Sequence, residues 1–153
     1  SLFLTGFVMA PTFVASYEAG IQPYMAEAIT LEEAIPRALG PVQQFMGAHA
    51  NDADVALFAG MAKIDNLQSA ADAPFHVLAP AFMISELKRA FEIGFMVFLP
   101  FLVIDLVVSS ILMAMGMMML PPVTISLPFK LIFFVLVDGW SLVAGSLIQS
   151  YSS

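Results

Sequence analysis

The sequence predicts an all-α membrane protein made of transmembrane-type helical hairpins with a small helical insert. Of its 153 residues, 60% are hydrophobic and only 11% are charged, and the mean hydropathy is +0.92. Soluble domains average about 25% charged residues, so this chain has too few polar side chains to cover a surface in water. Two C-terminal apolar stretches also reach the roughly 20 residues that a spanning helix needs.

The composition argues against several classes of function. The chain has no cysteine, so it can form neither disulfides nor a thiolate metal site. Its formal net charge of −7 argues against nucleic acid as a partner, because nucleic-acid binding needs clustered Lys and Arg. His49 and His76 lie far apart without a metal-ligand spacing, and the sequence has no phosphate loop or nucleophile elbow. We therefore expect no metal, no cofactor and no enzymatic activity.

The first segment, residues 1–14, is interpreted as the end of an apolar transmembrane-type helix. Pro11 is expected to stop this helix, because proline lacks the amide that a helix interior requires. The segment is too short to span a bilayer, and it lacks the positive region and cleavage site of a signal peptide. Since the chain starts with Ser1 inside this apolar run, we expect further sequence before it.

Residues 15–84 are mixed in composition and acidic, which predicts a helical insert that faces water. The segment carries eight carboxylates against two basic side chains, Arg37 and Lys63. The positive-inside tendency would place such a segment on the non-cytoplasmic side. Lys88 and Arg89 flank the next span on that same side and weaken this orientation.

Two local signals predict where helices of the insert begin. Thr30 is followed three residues later by Glu33, which is the spacing of a capping box. Asn51 or Asp52 can cap the next apolar run, because short polar side chains accept bonds from the first free amides of a helix.

The C-terminal half predicts an antiparallel hairpin of two apolar helices. Residues 85–120 form the first helix, residues 121–126 the turn, and residues 127–151 the second helix. Pro121 and Pro122 are expected to end the first helix, because proline supplies no amide donor.

Two further features are predicted within this hairpin. Pro100 should kink the first helix. Ser126 is expected to cap the second helix, which places Pro128 in its first turn, where a missing donor is harmless.

Four charged residues lie in or beside the apolar helices, namely Glu92, Asp105, Lys130 and Asp138. A carboxylate in mid-bilayer costs at least a few kcal/mol, so each needs a partner, a water-filled cavity or a proton. One reading is an ion or proton relay. A second is a buried hydrogen bond between helices, for instance from Asp105 to Ser109 one turn away. A third is pairing of these buried polar groups between subunits of an assembly, although Lys130 can also extend to the interface.

Five of the eleven methionines fall within residues 113–119, immediately before the double proline. Such a run can be simple apolar filler at a helix end. Alternatively, the unbranched thioether adapts to irregular surroundings, and Gly116 favours a loop. Several copies of this loop around one axis would make a soft apolar constriction that excludes water.

Several motifs resemble the FliP family of flagellar biosynthesis proteins, whose virulence counterparts are the SctR-type proteins of type III secretion. They are "FVMAPTF" near the N-terminus, "SELKRAFEIGF" before the first long span, "MAMGMMMLPP" at the turn and "LPFKLIFFVLVDGW" after it. The resemblance is strong over residues 1–14 and 80–151. In between, it extends only to position, acidity and helical character.

The resemblance implies a core subunit of the export gate in the bacterial inner membrane, at the flagellar basal body. Several copies would assemble with FliQ-type and FliR-type subunits, other export proteins and membrane lipid. Unfolded protein substrates would pass through this assembly. The resemblance also implies a signal peptide and a further span before Ser1, and it places the insert on the periplasmic side.

The resemblance assigns a gasket at the pore constriction to Met117, Met118 and Met119, with Met115 and Gly116 adjoining.

The implied packing of the hairpins inside a protein complex favours Asp105 and Asp138 as contacts between subunits. One alternative function is a proton- or ion-coupled transporter that uses these two residues. Another is a membrane anchor whose acidic insert is the working part.

Overall fold

The computed structural model describes residues 1–64, 66–116 and 121–152, and the regular elements in these ranges are all helical. They are α1 (Leu2–Ser16), a π-helical turn (Tyr17–Ile21), α2 (Gln22–Met25), α3 (Leu31–His49), α4 (Asp52–Met61), a 3-10 turn (Ala70–Asp72), α5 (Phe75–Ala114), α6 (Pro122–Leu136) and α7 (Gly139–Gln149). Leu2–Met25 and α5 are long and apolar enough to cross a membrane, and α6 with α7 is a third candidate if that bent pair counts as one span. The predicted all-α membrane-type fold is confirmed.

The chain divides into two compact units, and the boundary falls within α5. The first unit is Ser1–Arg89 and the second unit is Ala90–Ser153. The helix predicted from residue 85 begins at Phe75, so its first turns belong to the core of the first unit.

The first helix does not stop at Pro11. α1 passes through this proline to Ser16 and continues through the π-helical turn into α2. A proline removes a single amide donor, and apolar helices tolerate that loss where neighbouring groups compensate for it. Gly20 lies in the π-helical turn against α3, where an added Cβ would be 2.6 Å from the Ala34 carbonyl oxygen.

Both predicted helix caps of the insert are confirmed. The Thr30 amide donates to the Glu33 carboxylate at 3.3 Å, as the capping box requires. Asn51 Oδ1 accepts from the Ala53 amide at 2.9 Å and so caps α4.

The core of the first unit is formed where α3, α4 and the first turns of α5 meet. Val77, Leu78 and Ala81 on α5 are essentially inaccessible to solvent, and Met46 and Val55 close the cluster. The first unit therefore contains a small apolar core of its own.

The second unit consists of the rest of α5 with α6 and α7. Contacts of Asp105 with Ser126 and Lys130, and of Phe101 with Phe133, show that α6 runs back along α5. Among its described residues, Leu112 alone is a buried large apolar side chain. The helices of this unit thus present most of their apolar side chains outward.

The helix predicted over residues 127–151 is two helices in the structure. α6 and α7 meet at an angle of 62°, and Asp138 between them has a φ of 51°. A residue in the left-handed conformation cannot continue a right-handed helix, so the helix breaks there. Glycine occupies the next position, 139, because a Cβ added there would lie only 2.3 Å from a ring carbon of Phe134.

Candidate functional site

The clearest polar site of the second unit is a cluster of Asp105, Ser126 and Lys130. Ser126 Oγ donates to Asp105 Oδ1 at 2.6 Å, and Lys130 Nζ lies 2.7 Å from the same carboxylate. Ser126 is fully buried, and the side chains of Asp105 and Lys130 are 28% and 20% exposed. The carboxylate is therefore held by two donors that both come from α6.

The spacing on α6 explains how this cluster forms. Ser126 and Lys130 are four residues apart, so their side chains lie on the same face of the helix. The antiparallel arrangement brings that face against Asp105 on α5. Because Lys130 compensates the negative charge, the carboxylate is tolerated within an apolar helix. Such a cluster can fix the register of the hairpin.

One prediction for this region is wrong, and a second is right in kind. Ser126 does not cap the second helix, because α6 already begins at Pro122 and its N-cap position is Pro121. Asp105 does form a hydrogen bond between helices, but its partners are Ser126 and Lys130 on the facing helix and not the example of Ser109 one turn along its own helix. The signal that could have identified Ser126 is its four-residue spacing from Lys130.

Glu92 and Asp138 do not belong to this cluster. Both side chains are exposed, Glu92 on α5 and Asp138 at the bend before α7. Whether either residue pairs with another subunit stays a prediction.

The methionine-rich segment begins directly at the end of α5. The Met115 amide donates to the Ile111 carbonyl, and the Gly116 amide donates to the Met113 carbonyl. Gly116 has a φ of +73°, a left-handed conformation that commonly ends helices and that glycine adopts without strain. The chain therefore leaves the helix at Gly116.

The three predicted gasket residues, Met117, Met118 and Met119, lie outside the described residues. Pro121 adopts an extended conformation, and Pro122 is the first residue of α6. The two prolines thus precede and open the second helix of the hairpin, while α5 already ends at Ala114.

A groove of about 580 Å³ lies in the second unit between α5, the end of α6, and α7. Its floor includes Phe101 and Phe134, which are in aromatic contact, and Met96 and Leu142 are among its exposed lining residues. Among the lining residues, Glu92 is the one that carries a charge.

A second cluster of the same residue types lies in the first unit. Asp54 on α4 is paired with Lys88 and accepts a hydrogen bond from Ser85 at 3.0 Å, and both partners are on α5. The hydrogen bond from Lys88 holds the pKa of Asp54 below its ordinary value, against the opposing effect of burial. The Asn51 amide also donates to Ser85 Oγ, so the cluster ties the start of α4 to α5.

This first-unit cluster was missed by sequence reasoning, which counted Asp54 among the water-facing carboxylates. Its partners lie more than thirty positions away, and no local pattern indicates them.

Within the described ranges, no group of three or more His, Asp or Glu side chains is arranged to hold a metal ion.

Comparison with known proteins identifies the family. The model of the FliP family matches residues 1–147. The flagellar biosynthetic protein FliP of Caulobacter vibrioides is 64% identical over 151 residues, which are 99% of this chain and 57% of that protein. The Bacillus subtilis protein of the same name is 55% identical over 99% of this chain and 68% of its own length.

The corresponding protein of Pectobacterium carotovorum subsp. carotovorum is 54% identical over the whole chain and 59% of its own length. The chain thus spans roughly three fifths of the length of the relatives it matches. The resemblance inferred from the sequence motifs is confirmed, and the chain belongs to the FliP family.

Proposed function

We propose that this chain is part of a pore-forming core subunit of the flagellar protein export gate. In this role, several copies pass unfolded flagellar proteins across the bacterial inner membrane while the flagellum is built. The observation that carries the proposal is the family match over residues 1–147, together with relatives at 49–64% identity that are named flagellar biosynthetic proteins. The subunit acts by forming a passage and catalyses no reaction.

The methionine-rich turn supplies the physical basis for a gate. Met113 and Met115 are exposed, and Gly116 turns the chain away from α5 before Met117, Met118 and Met119 follow. Flexible thioethers can pack against one another and can deform around a passing chain. A ring of such loops closes by excluding water and opens under a substrate.

The exposed apolar surface of the second unit supports assembly with other subunits. Val135, Leu136 and Trp140 are each more than 70% exposed. Apolar surface of this kind must be covered by lipid or by protein. We propose that further copies of this chain, FliQ-type and FliR-type subunits, other export proteins and membrane lipid cover it in the basal body.

The proposed organisation takes its bounds from the helices. We propose that the periplasmic-side insert contains α3 and α4, within the predicted residues 15–84. The hairpin is α5 followed by the bent pair α6 and α7, and its turn lies between the end of α5 at Ala114 and the start of α6 at Pro122. Glu92, Asp105, Lys130 and Asp138 serve as polar contacts in the assembly.

The gasket role is tested by replacing Met117, Met118 and Met119 together with alanine. The full-length protein is expressed with its partners, and ion leak across the membrane is measured. We expect a large rise in leak, because alanine removes the side chains that fill the constriction. The matched control replaces Met25, Met61 and Met83, which are exposed in the first unit, and should leave the leak unchanged.

An unchanged leak in the loop variant, with the complex assembled at its normal mass, contradicts the gasket. A similar rise in the control variant contradicts it as well, because the effect would then come from general loss of methionine.

The rival function is a proton- or ion-coupled transporter with Asp105 and Asp138 as the relay. The ion pair between Asp105 and Lys130 argues against it, because this carboxylate is already compensated within the chain. Asp105→Asn and Asp138→Asn separate the two functions. A relay loses transport while assembly survives, whereas polar contacts lose assembly.

A further inference from the structure

The junction between α6 and α7 bends the second unit at a single residue. Only Val137 and Asp138 separate the two helices, which meet at an angle of 62°. The bend is not made by proline, since the nearest proline in the sequence is Pro128 in the first half of α6. Asp138 has a φ of 51° and a ψ of 55°, and this left-handed conformation produces the bend.

The bend interrupts the backbone hydrogen bonding of the two helices. At the end of α6, the Asp138 amide bonds three residues back, to the Val135 carbonyl. The bonding of α7 begins with the Leu142 amide, which donates to the Asp138 carbonyl. In a continuous helix, the amides of residues 139–141 would donate to the carbonyls of residues 135–137. A straight α6–α7 helix would therefore gain three backbone hydrogen bonds.

Aromatic packing stabilises the bent arrangement instead. The rings of Phe134 and Trp140 lie 5.2 Å apart and are nearly perpendicular, at 89°. Gly139 is buried beside the Phe134 ring, where a Cβ would not fit. In a continuous helix, side chains meet at a spacing of three or four residues and not of six, so straightening would separate these two rings. Each arrangement thus has an interaction that the other lacks.

The surroundings of α7 leave room for it to move. Ser126 and Lys130 tie α6 to Asp105 on α5. In contrast, α7 lies across the groove of about 580 Å³ from α5, and Trp140 and Leu142 are 77% and 58% exposed. We therefore expect α6 to stay with α5 while α7 changes its direction.

We propose that Asp138 is a hinge about which α7 moves between a bent and a straight arrangement with α6. The movement needs one residue to change from the left-handed to the right-handed helical conformation. Hinges commonly concentrate such a backbone change in a few residues at the end of an element. The movement would change the width of the groove between α5 and α7. The inference depends neither on the export function nor on the methionine gate.

The test measures the distance between the far ends of α6 and α7. The chain has no cysteine, so Leu127→Cys and Gln149→Cys introduce two sites for spin labels. These positions would be about 33 Å apart in a straight helix, and the 62° bend shortens this distance to about 28 Å. Full-length labelled protein is assembled with an excess of unlabelled copies, and the complex is purified in mild detergent. Double electron–electron resonance should show both distances, with the shorter one predominant.

Three variants should shift the ratio of the two distances. Asp138→Gly should enrich the shorter distance, because glycine adopts the left-handed conformation without strain. Asp138→Val should enrich the longer distance, because a β-branched residue rarely adopts that conformation, and we expect a change on the order of fivefold. Gly139→Ala should also enrich the longer distance, because its Cβ would overlap the Phe134 ring. The matched control is Gly145→Ala, which adds the same methyl group to α7 where nothing lies within 4 Å, and it should leave the ratio unchanged.

Three outcomes overturn the proposal. The same distance distribution in Asp138→Gly, Asp138→Val and Gly139→Ala would show a fixed bend. Loss of the folded complex in both Asp138→Val and Gly139→Ala, with normal assembly of Asp138→Gly, would show that the straight arrangement is not accessible. A shift in Gly145→Ala as large as that in Gly139→Ala would assign the effect to helix propensity and not to a hinge.

Discussion

The two units contain the same trio of side chains in different surroundings. Asp54, Ser85 and Lys88 hold together a unit with its own apolar core, whereas Asp105, Ser126 and Lys130 join helices that expose most of their apolar surface. In the first unit the cluster adds to a packed interior. In the second unit the cluster joins α5 to α6 by polar bonds, which can fix the register of the hairpin. The stability of the first unit should therefore depend on its own apolar core. The stability of the second unit should depend on the proteins or lipids that cover its apolar surface.

The largest expected change in the free energy of unfolding comes from replacing a buried leucine, and it tests the difference in core packing between the two units. Leu78 in the first unit is 0% exposed, and Leu136 in the second is 79% exposed. Leu78→Ala should lower the free energy of unfolding by about 2–5 kcal/mol, because it leaves a cavity. Leu136→Ala should change it by about 0.5 kcal/mol or less. Denaturant unfolding of the detergent-solubilised protein, followed by circular dichroism, measures both.

Equal losses for the two leucine variants would contradict the comparison, since they would mean that the second unit carries a core of its own.

A smaller effect is expected from two helical glycines. An added Cβ at Gly20 would lie 2.6 Å from backbone atoms of α3, and one at Gly145 would meet nothing within 4 Å. Gly20→Ala should destabilise the protein by about 1–3 kcal/mol through overpacking. Gly145→Ala should stabilise it by about 0.5–1 kcal/mol, because alanine loses less backbone entropy in a helix. Unfolding midpoints of the two variants give the comparison, and a stable Gly20→Ala protein would show that α3 can move away.

The turn after α5 gives the next prediction. Gly116 has a φ of +73°, so Gly116→Ala should cost about 1–2 kcal/mol of stability through left-handed strain. Gly94→Ala is the matched control, because Gly94 is helical and an added Cβ would meet nothing there. Thermal unfolding of both variants in one detergent measures the difference. Equal midpoints would mean that the turn relaxes to another conformation.

The features that depend on neighbouring residues could be predicted from the sequence. Thr30 with Glu33 and Asn51 with Ala53 lie within one turn of each other, so their spacing alone predicts the caps. The family motifs could also be recognised from the sequence, because each is a continuous run of residues.

Contacts between positions far apart in the chain could not be predicted from the sequence. The pairing of Asp105 with Ser126 depends on the hairpin register, and that of Asp54 with Lys88 depends on α5 starting at Phe75. The break at Asp138 is a left-handed backbone conformation of one residue, and no local pattern of the sequence indicates it. These contacts form only when the helices pack together, so no local sequence pattern indicates them.

The smallest expected effect is on the pH dependence of stability, and it comes from Asp54, the buried carboxylate of the first unit. Lys88 lowers the pKa of Asp54, so the folded protein binds its proton less readily than the unfolded chain does. The stabilisation is therefore present above the unfolded pKa of about 3.9 and is lost as the pH falls through the lower folded value. The stability difference between the unmodified protein and Asp54→Asn should be constant near neutral pH and should shrink below about pH 4.

Lys88→Met provides the matched variant, because it removes the main cause of the lowered pKa and leaves the carboxylate in place. It should flatten the acid limb of the stability profile as Asp54→Asn does. Unfolding midpoints measured from neutral to acid pH test both variants. A difference that persists unchanged in acid would mean that Asp54 acts through its hydrogen bond with Ser85 and not through its charge. The first-unit cluster would then be a packing feature, and the charged trio of the second unit would have no counterpart in the first.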